Sequence, residues 1–191
     1  MSGEGKTESV KRTVIATEVM THLDHLYRVA LHLAKGPADA DDLVQETFVR
    51  ALAAHEQFDP GTNMKAWLTK ILYNFFFDHY RRNKRWLAAE DGVQPEFEHW
   101  QHPADLNSGP ESHVLRKELD DQIVQGLSKI PEEFRAPIVL VDIGDFSYGE
   151  VAAILSCPIG TIRSRLSRGR KLMQQYLKAY MGDEEKIHGK K

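Results

Sequence analysis

The chain has one cysteine, Cys157, among 191 residues. An internal disulfide and a multi-cysteine zinc site are therefore both excluded. The thiol reads as a small buried turn residue, with a sensor thiol as the alternative. Long apolar runs are also lacking. The longest candidate, ILYNFFF, gives way at once to DHYRRNKR, far short of the roughly 20 apolar residues that span a bilayer. The opening MSGEGKTESVKR has no apolar core of the signal-peptide kind and reads as a short disordered tail over residues 1–12. The expected location is the cytosol, with no membrane partner. Strand alternation and solenoid repeats are missing too, which leaves helix as the only regular structure.

A large charge excess is likewise absent. The formal net charge of -3 argues against an indiscriminate polyanion binder. Local windows tell more. From Ala38 to Pro60 there are six acids and one base, Arg50. From Gly61 to Trp86 there are six bases and one acid, Asp78. From Leu87 to Glu111 there are six acids and no base, and from Ile159 to Met181 six bases and no acid. Two basic segments set between acidic ones suggest two focused contacts with a polyanion.

Apolar spacing divides the chain into two helical blocks. Val19, Leu23, Leu26, Tyr27, Ala30 and Leu33 recur at three and four, in a helix that begins near Val14 and ends at Gly36-Pro37. A second helix, about Ala38 to His55, keeps Leu43, Val44, Thr47, Phe48 and Ala51 on one side. FDPGTN is a turn by composition, and a third helix follows from about Met64 to Lys84. Residues 87–111, rich in proline and acid, form a flexible linker. In the second block Leu115, Leu119, Ile123, Leu127 and Ile130 hold helical spacing; Pro137 interrupts the next apolar run and predicts a kink or a late helix start. The fold class is all-α: two small helical domains, over 13–86 and 112–181, joined by an acidic linker, with a tail at 182–191.

FSYGEVAAILSCPIGTIRSRLSRGRKL fits a helix-turn-helix. Its first helix, about Ser147 to Leu155, packs through Val151, Ala152 and Leu155; Ser156-Cys157 forms the turn, and Pro158 suits a first helical position. At 100° per residue, Ile162, Leu166, Gly169 and Met173 share one stripe of the second helix. Gly160, Ser164, Ser167 and Lys171 lie opposite, flanked by Arg163 and Arg168. Small residues let a helix approach base edges, and arginines beside them reach phosphate or guanine. A solvated basic helix is the competing reading, but such a helix usually carries i,i+4 ion pairs and this one has no acids.

The helix NMKAWLTKILYNFFFDHYRRNKR carries the other signal. With Met64, Leu68, Ile71, Leu72 and Phe75 buried, its free face shows Lys70, Tyr73, Asn74, Phe77, Tyr80 and Arg81. Exposed aromatics among cations suit unpaired bases, whose stacking contributes about 1–3 kcal/mol each. Packing of these rings on the preceding helix or on a partner explains them equally well. The preceding helix exposes Asp41, Asp42, Gln45, Glu46 and Val49. That face repels DNA and fits protein docking, unless it is merely solvated.

Together the segments PADADDLVQETFVRA, FDPGTNMKAWLTKILYNFFFDHYRR and IPEEFRAPIVLVDIGDFSYGEVAAILSCPIGTIRSRLSRGRKLM resemble the extracytoplasmic-function (ECF) sigma factors of the sigma-70 family, in order and spacing across most of residues 19–180. The resemblance implies a factor that directs core RNA polymerase to promoters of stress-response genes, with nucleotide addition left to the polymerase and no enzyme activity, cofactor, catalytic residue or metal in this chain. It implies polymerase docking by Asp39, Asp41, Asp42, Gln45, Glu46 and Val49 in region 2. Minus-ten DNA falls to Thr62, Asn63, Lys65, Trp67, Lys70, Tyr73, Asn74, Phe77, Tyr80 and Arg81, with the loop Pro60–Asn63 and the helix start capturing an extruded base. Minus-thirty-five DNA falls to Thr161, Arg163, Ser164, Ser167, Arg168 and Lys171 in region 4. The linker is implied to thread the polymerase's RNA channel, and an anti-sigma factor, often a zinc-binding one, to hold the protein inactive. The chain departs from the pattern at Ser156, where a turn glycine is common, at Pro137, and in the apolar triple Phe75-Phe76-Phe77.

Two rival readings stand beside this one. His22, His25 and His32, with His99 and His102, have spacings that allow metal ligation, but no cysteine or acid set completes a site. A stand-alone helix-turn-helix regulator explains the C-terminal helix but leaves the aromatic helix and the acidic face without a task.

Overall fold

The computed structural model describes residues 16–34, 36–89 and 110–188, with side chains placed for 16–34, 36–82 and 120–180. Among the described residues there is no strand. The expected helix from Val14 is two pieces: α1 (residues 16–21) and α2 (Leu23–Leu33). Thr21 Oγ1 donates to Glu18 O at 2.6 Å and His22 N to Val19 O at 3.0 Å, so local side-chain and i→i−3 bonds interrupt the regular ladder. The break turns Leu23 outward, while Val19, Leu26, Val29, Ala30 and Leu33 are buried.

Helix α3 (Pro37–Ala53) starts at Pro37 itself. A first helical position needs no N–H, so the residue expected to end one helix opens the next. Leu43, Val44, Thr47 and Ala51 face the core, and Thr47 satisfies its buried hydroxyl on Leu43 O at 2.6 Å. A 3₁₀ turn, His55–Gln57, leads into FDPGTN. There Gly61 has φ +105°, a conformation that disfavours any side chain, and Thr62 returns both its N–H and its hydroxyl to Asp59 O. Asn63 then caps α4 (Met64–Ala89), its Oδ1 accepting from Ala66 N at 3.2 Å. Met64, Leu68 and Leu72 seat α4 on α2 and α3.

The second block comprises α5 (Pro110–Lys129), α6 (Glu132–Ile138), α7 (Tyr148–Ile154) and α8 (Ile159–His188). Residues 90–109, most of the expected linker, lie outside the described residues. Pro137 neither kinks a long helix nor delays one. It sits inside α6, which ends one residue later and passes into a π turn at Val139–Ile143, where Gly144 N donates to Val139 O at 2.8 Å. A proline this late in a short helix removes a single ladder bond, and the wider π turn follows directly after it. The crossing of α6 and α8 is tight at Gly169, where an added Cβ meets Ile138 Cδ1 at 2.7 Å and Phe134 O at 2.8 Å. Ile162 and Leu166 fill the same seam, and Gly169 is buried with them.

The two blocks touch. Phe146, after the π turn, packs edge-on against the His25 ring at 5.3 Å and lies under Lys65 Nζ at 4.7 Å. One continuous set of buried apolar residues therefore runs from α2 through α4 into α6–α8.

Candidate nucleic-acid interface

Ser147 caps α7, and Glu150 completes a reciprocal capping box: Ser147 Oγ accepts from Glu150 N at 3.3 Å, while Glu150 Oε2 accepts from Ser147 N at 2.9 Å. The bond from Ser147 N, followed by one that Ser147 Oγ donates to Glu150 Oε2 at 2.8 Å, holds the Glu150 carboxyl below the usual carboxylate range. Val151 is buried as expected, Ala152 and Leu155 pack half-buried against the core, and Ile154, which the spacing did not single out, is buried with Val151. Ser156 turns the chain with φ +50°, in the left-handed region where glycine was expected. Cys157 is half-buried at the turn.

Helix α8 then presents Arg163, Ser164, Ser167, Arg168 and Lys171 to solvent, with Thr161 half-buried at its first turn. The buried stripe Ile162, Leu166 and Gly169, with Met173 half-buried, runs along the other side as the spacing predicts. The structure sorts the arginines. Arg170 is tied to Asp142 by two hydrogen bonds, one at 3.1 Å through Nε, and Arg165 lies 3.8 Å from Glu133. Among the described residues Arg163, Arg168 and Lys171 have no acidic partner. Their charges, on one face with two serines between, are free for an external anion.

The acidic face of α3 is as expected: Asp39, Asp41, Asp42, Gln45 and Val49 are exposed, Val49 at 60%. Glu46 is half-buried and bonded to Arg50 at 2.7 Å, and Arg50 also lies 4.5 Å over the Phe75 ring. That contact, together with burial of Phe76, rotates the aromatic triple from the expected arrangement, in which Phe75 was to be core and Phe76 was unassigned.

The free aromatic face expected on α4 needs correction. Tyr73 is buried, and its hydroxyl donates to Glu132 Oε1 at 2.6 Å. Burial and then the Glu132 charge push its phenol far above the ordinary tyrosine value. Phe77 stacks on Tyr73 at 5.8 Å and Tyr80 on Phe76 at 6.0 Å, both half-buried, and Arg81 leans over Phe77 at 5.6 Å. Trp67 is half-buried against Phe58 at 5.2 Å. The physical reason is tertiary: α6 supplies Glu132 for the tyrosine and Arg135 for the Phe76 ring, 5.9 Å away. Thr62, Asn63, Lys70 and Asn74 do remain exposed, with Asn63 Nδ2 donating to Glu150 Oε1 at 2.6 Å. Glu132, Arg135, Phe146 and Glu150 were missed by sequence reading. Only Glu150 had a usable signal, the S-x-x-E of FSYGE.

Among the described residues the histidines do not converge. His25 is buried beside Thr69 and Phe146, His32 turns its ring to Arg28 O at 2.8 Å, and His99 and His102 lie outside the described residues. Among the described residues no three metal-ligating side chains gather, and no helix is long and apolar enough to cross a membrane.

Residues 19–86 match the family model for sigma-70 region 2, and residues 120–173 that for sigma-70 region 4. An ECF RNA polymerase sigma factor, EcfG of Rhodopseudomonas palustris, is 34% identical over 160 residues, covering 84% of this chain and 83% of its own length. The chain belongs to the ECF sigma factors. Another relative of this sigma factor, SigE of Mycolicibacterium smegmatis, is 36% identical over 83% of the chain, which spans 60% of that longer protein. The solved structure of the sigma factor RpoE with the anti-sigma factor NepR from Bartonella quintana superposes with TM-score 0.71 at 36% identity, covering 85% of this chain and 95% of that one. The two matched regions coincide with the two helical blocks, so the sigma factor's acidic α3 and aromatic α4 fall in region 2 and its basic α8 in region 4.

Proposed function

We propose that this sigma factor binds core RNA polymerase through Asp39, Asp41, Asp42, Gln45, Glu46 and Val49, and directs it to promoters of stress-response genes. One observation carries the DNA-reading part: Arg163, Arg168 and Lys171 stand on one face of α8 without acidic partners among the described residues, while Arg165 and Arg170 of the same helix are held by acids. Ser164 and Ser167 between them leave room for base edges. In region 2, the Gly61 turn and the Asn63 cap present Thr62, Asn63 and Lys65 at the start of α4, where an extruded minus-ten base is captured. Lys70, Asn74 and Phe77 line the path of the melted strand beyond it, with Trp67, Tyr73, Tyr80 and Arg81 completing the surface.

The chain acts by binding and has no catalytic group of its own in this reading; the polymerase supplies the chemistry. Residues 13–86 and 112–181 are the two working domains, and the acidic linker 87–111 occupies the polymerase's RNA channel. An anti-sigma factor controls access, a role supported by the NepR complex of the Bartonella relative; any zinc or redox chemistry belongs to that partner. The protein works in the cytoplasm, as its task requires.

Transcription in vitro with purified core polymerase tests this reading. Specific initiation at promoters of its own genome is expected. Phe77→Ala is expected to slow open-complex formation while leaving core binding unchanged. Absence of specific initiation at every promoter tried overturns the proposal.

A further inference from the structure

Asn63, Lys65 and Tyr73 each find a partner in the region 4 block, in Glu150, Phe146 and Glu132. Arg135 of α6 is placed differently. It is 4% exposed and packed against α4, with its guanidinium carbon 5.9 Å from the Phe76 ring centre. That distance is at the outer limit of a cation–π contact. Among the described residues no acidic oxygen lies within 4.0 Å of its side-chain nitrogens, and its Nε is buried without a partner. Glu132, one turn earlier in α6, gives its Oε1 to the Tyr73 hydroxyl at 2.6 Å. The groups whose charge reaches Arg135 are Glu132 on its own helix and Tyr80 and Tyr73 on α4. Burial outweighs all three and holds the guanidinium below the ordinary arginine value. An arginine in a protein nevertheless keeps its proton.

A cation in this position disfavours the arrangement that buries it. The loss of hydration is offset only by close acids and a full set of hydrogen bonds, and Arg135 lacks the acid and leaves its Nε unmatched. When α4 and α6 separate, water covers the guanidinium and satisfies its five N–H groups. An apolar side chain of similar length has no such gain on separation. We propose that Arg135 is a release element, an uncompensated cation that keeps the closed pairing of the two blocks close to balance so that the chain opens readily. Its neighbours shape the closed arrangement, and Arg135 sets how strongly the chain is held in it. A partner that needs the open chain binds with an apparent affinity scaled by the open population. That partner is core polymerase, and this last link rests on the proposed function.

The test uses the full chain in a Cys157→Ser background, with dyes on Glu56→Cys and Gln174→Cys, two exposed positions on opposite blocks. Single-molecule energy transfer counts open, low-transfer molecules with no polymerase or DNA present. Arg135→Met, of similar length and without charge, is expected to lower the open population about tenfold, and Arg135→Leu to lower it too. Arg135→Lys, which keeps the charge, is expected to stay near the parent. In transcription with core polymerase, the methionine variant is expected to initiate more slowly than the parent. Urea midpoints check folding. Methionine and leucine variants that are folded and open as often as the parent overturn the release role. So does a lower urea midpoint in both, which makes Arg135 a net stabiliser. A lysine variant as closed as the methionine one overturns charge as the cause. Unchanged initiation by a more tightly closed methionine variant overturns the link to polymerase. Failure of the parent to initiate at all overturns the sigma reading instead, and the open populations still decide whether Arg135 acts as a release element.

Discussion

Replacing Gly169 by alanine sets two well-known effects against each other. Alanine in a helix interior is favoured over glycine by about 1 kcal/mol. The structure opposes that gain. The new Cβ falls 2.7 Å from Ile138 Cδ1 and 2.8 Å from Phe134 O. The isoleucine methyl can rotate aside, but the carbonyl belongs to the backbone of α6 and moves only with that helix. Overpacking of this kind costs about 1–3 kcal/mol, so the net expectation is a loss of up to about 2 kcal/mol. Gly160 of the same helix is the internal comparison, because an added Cβ there meets nothing within 4 Å. Gly160→Ala is expected to be neutral or to stabilise by up to about 1 kcal/mol. Urea denaturation followed by helical circular dichroism measures both, with the midpoint read at constant slope. A Gly169→Ala protein as stable as Gly160→Ala shows that α6 and α8 do not cross backbone to side chain at this point. The consequence for function is direct, since the free face of α8 is aimed by how its buried stripe sits on α6.

Ser156→Gly is expected to stabilise by about 0.5 kcal/mol, because relief of the left-handed φ slightly exceeds the extra chain entropy lost on folding; thermal or urea melting reads it, and a destabilised variant contradicts the strain. Arg168→Ala is expected to weaken binding of a minus-thirty-five duplex and to lower the log–log salt slope by about 0.9, whereas Arg170→Ala, whose charge is spent on Asp142, leaves the slope unchanged; equal slopes for both defeat the sorting. His25 is held neutral, its pKa lowered from 6.5 to about 4 by burial first and then by Lys65, Arg28 and His22, with Asp145 opposing. The unfolded chain therefore takes up the proton first. The stability this histidine confers is complete above about pH 6.5 and declines as pH falls toward 4, at up to about 1.4 kcal/mol per pH unit. Urea midpoints between pH 7.5 and 5 are expected to flatten in His25→Gln, and an unchanged profile excludes this residue as the source.

The helix-turn-helix was legible because its information is local. The stripe Ile162, Leu166, Gly169 and Met173 repeats at the helical period, and proline, small residues and unopposed arginines each act within one or two turns. The acidic face of α3 was legible for the same reason. The aromatic helix was not. Tyr73, Phe76 and Phe77 are neighbours, and periodicity cannot tell a ring that meets solvent from one that meets a helix almost sixty residues later in the chain. Phe75 illustrates this from the other direction: placed in the core by spacing, it is half-buried under Arg50.

Sequence alone determined the all-α class, the two blocks, the alternation of acidic and basic segments and the basic face of α8 that meets solvent, since each depends on residues close along the chain. Tertiary structure decided how the charges are spent. Arg170 is neutralised by Asp142, Tyr73 bonds Glu132, and Asn63 reaches Glu150, 87 residues away. Hydrogen bonds and ring contacts extend only a few ångströms, and only the folded chain sets which distant groups come within that range.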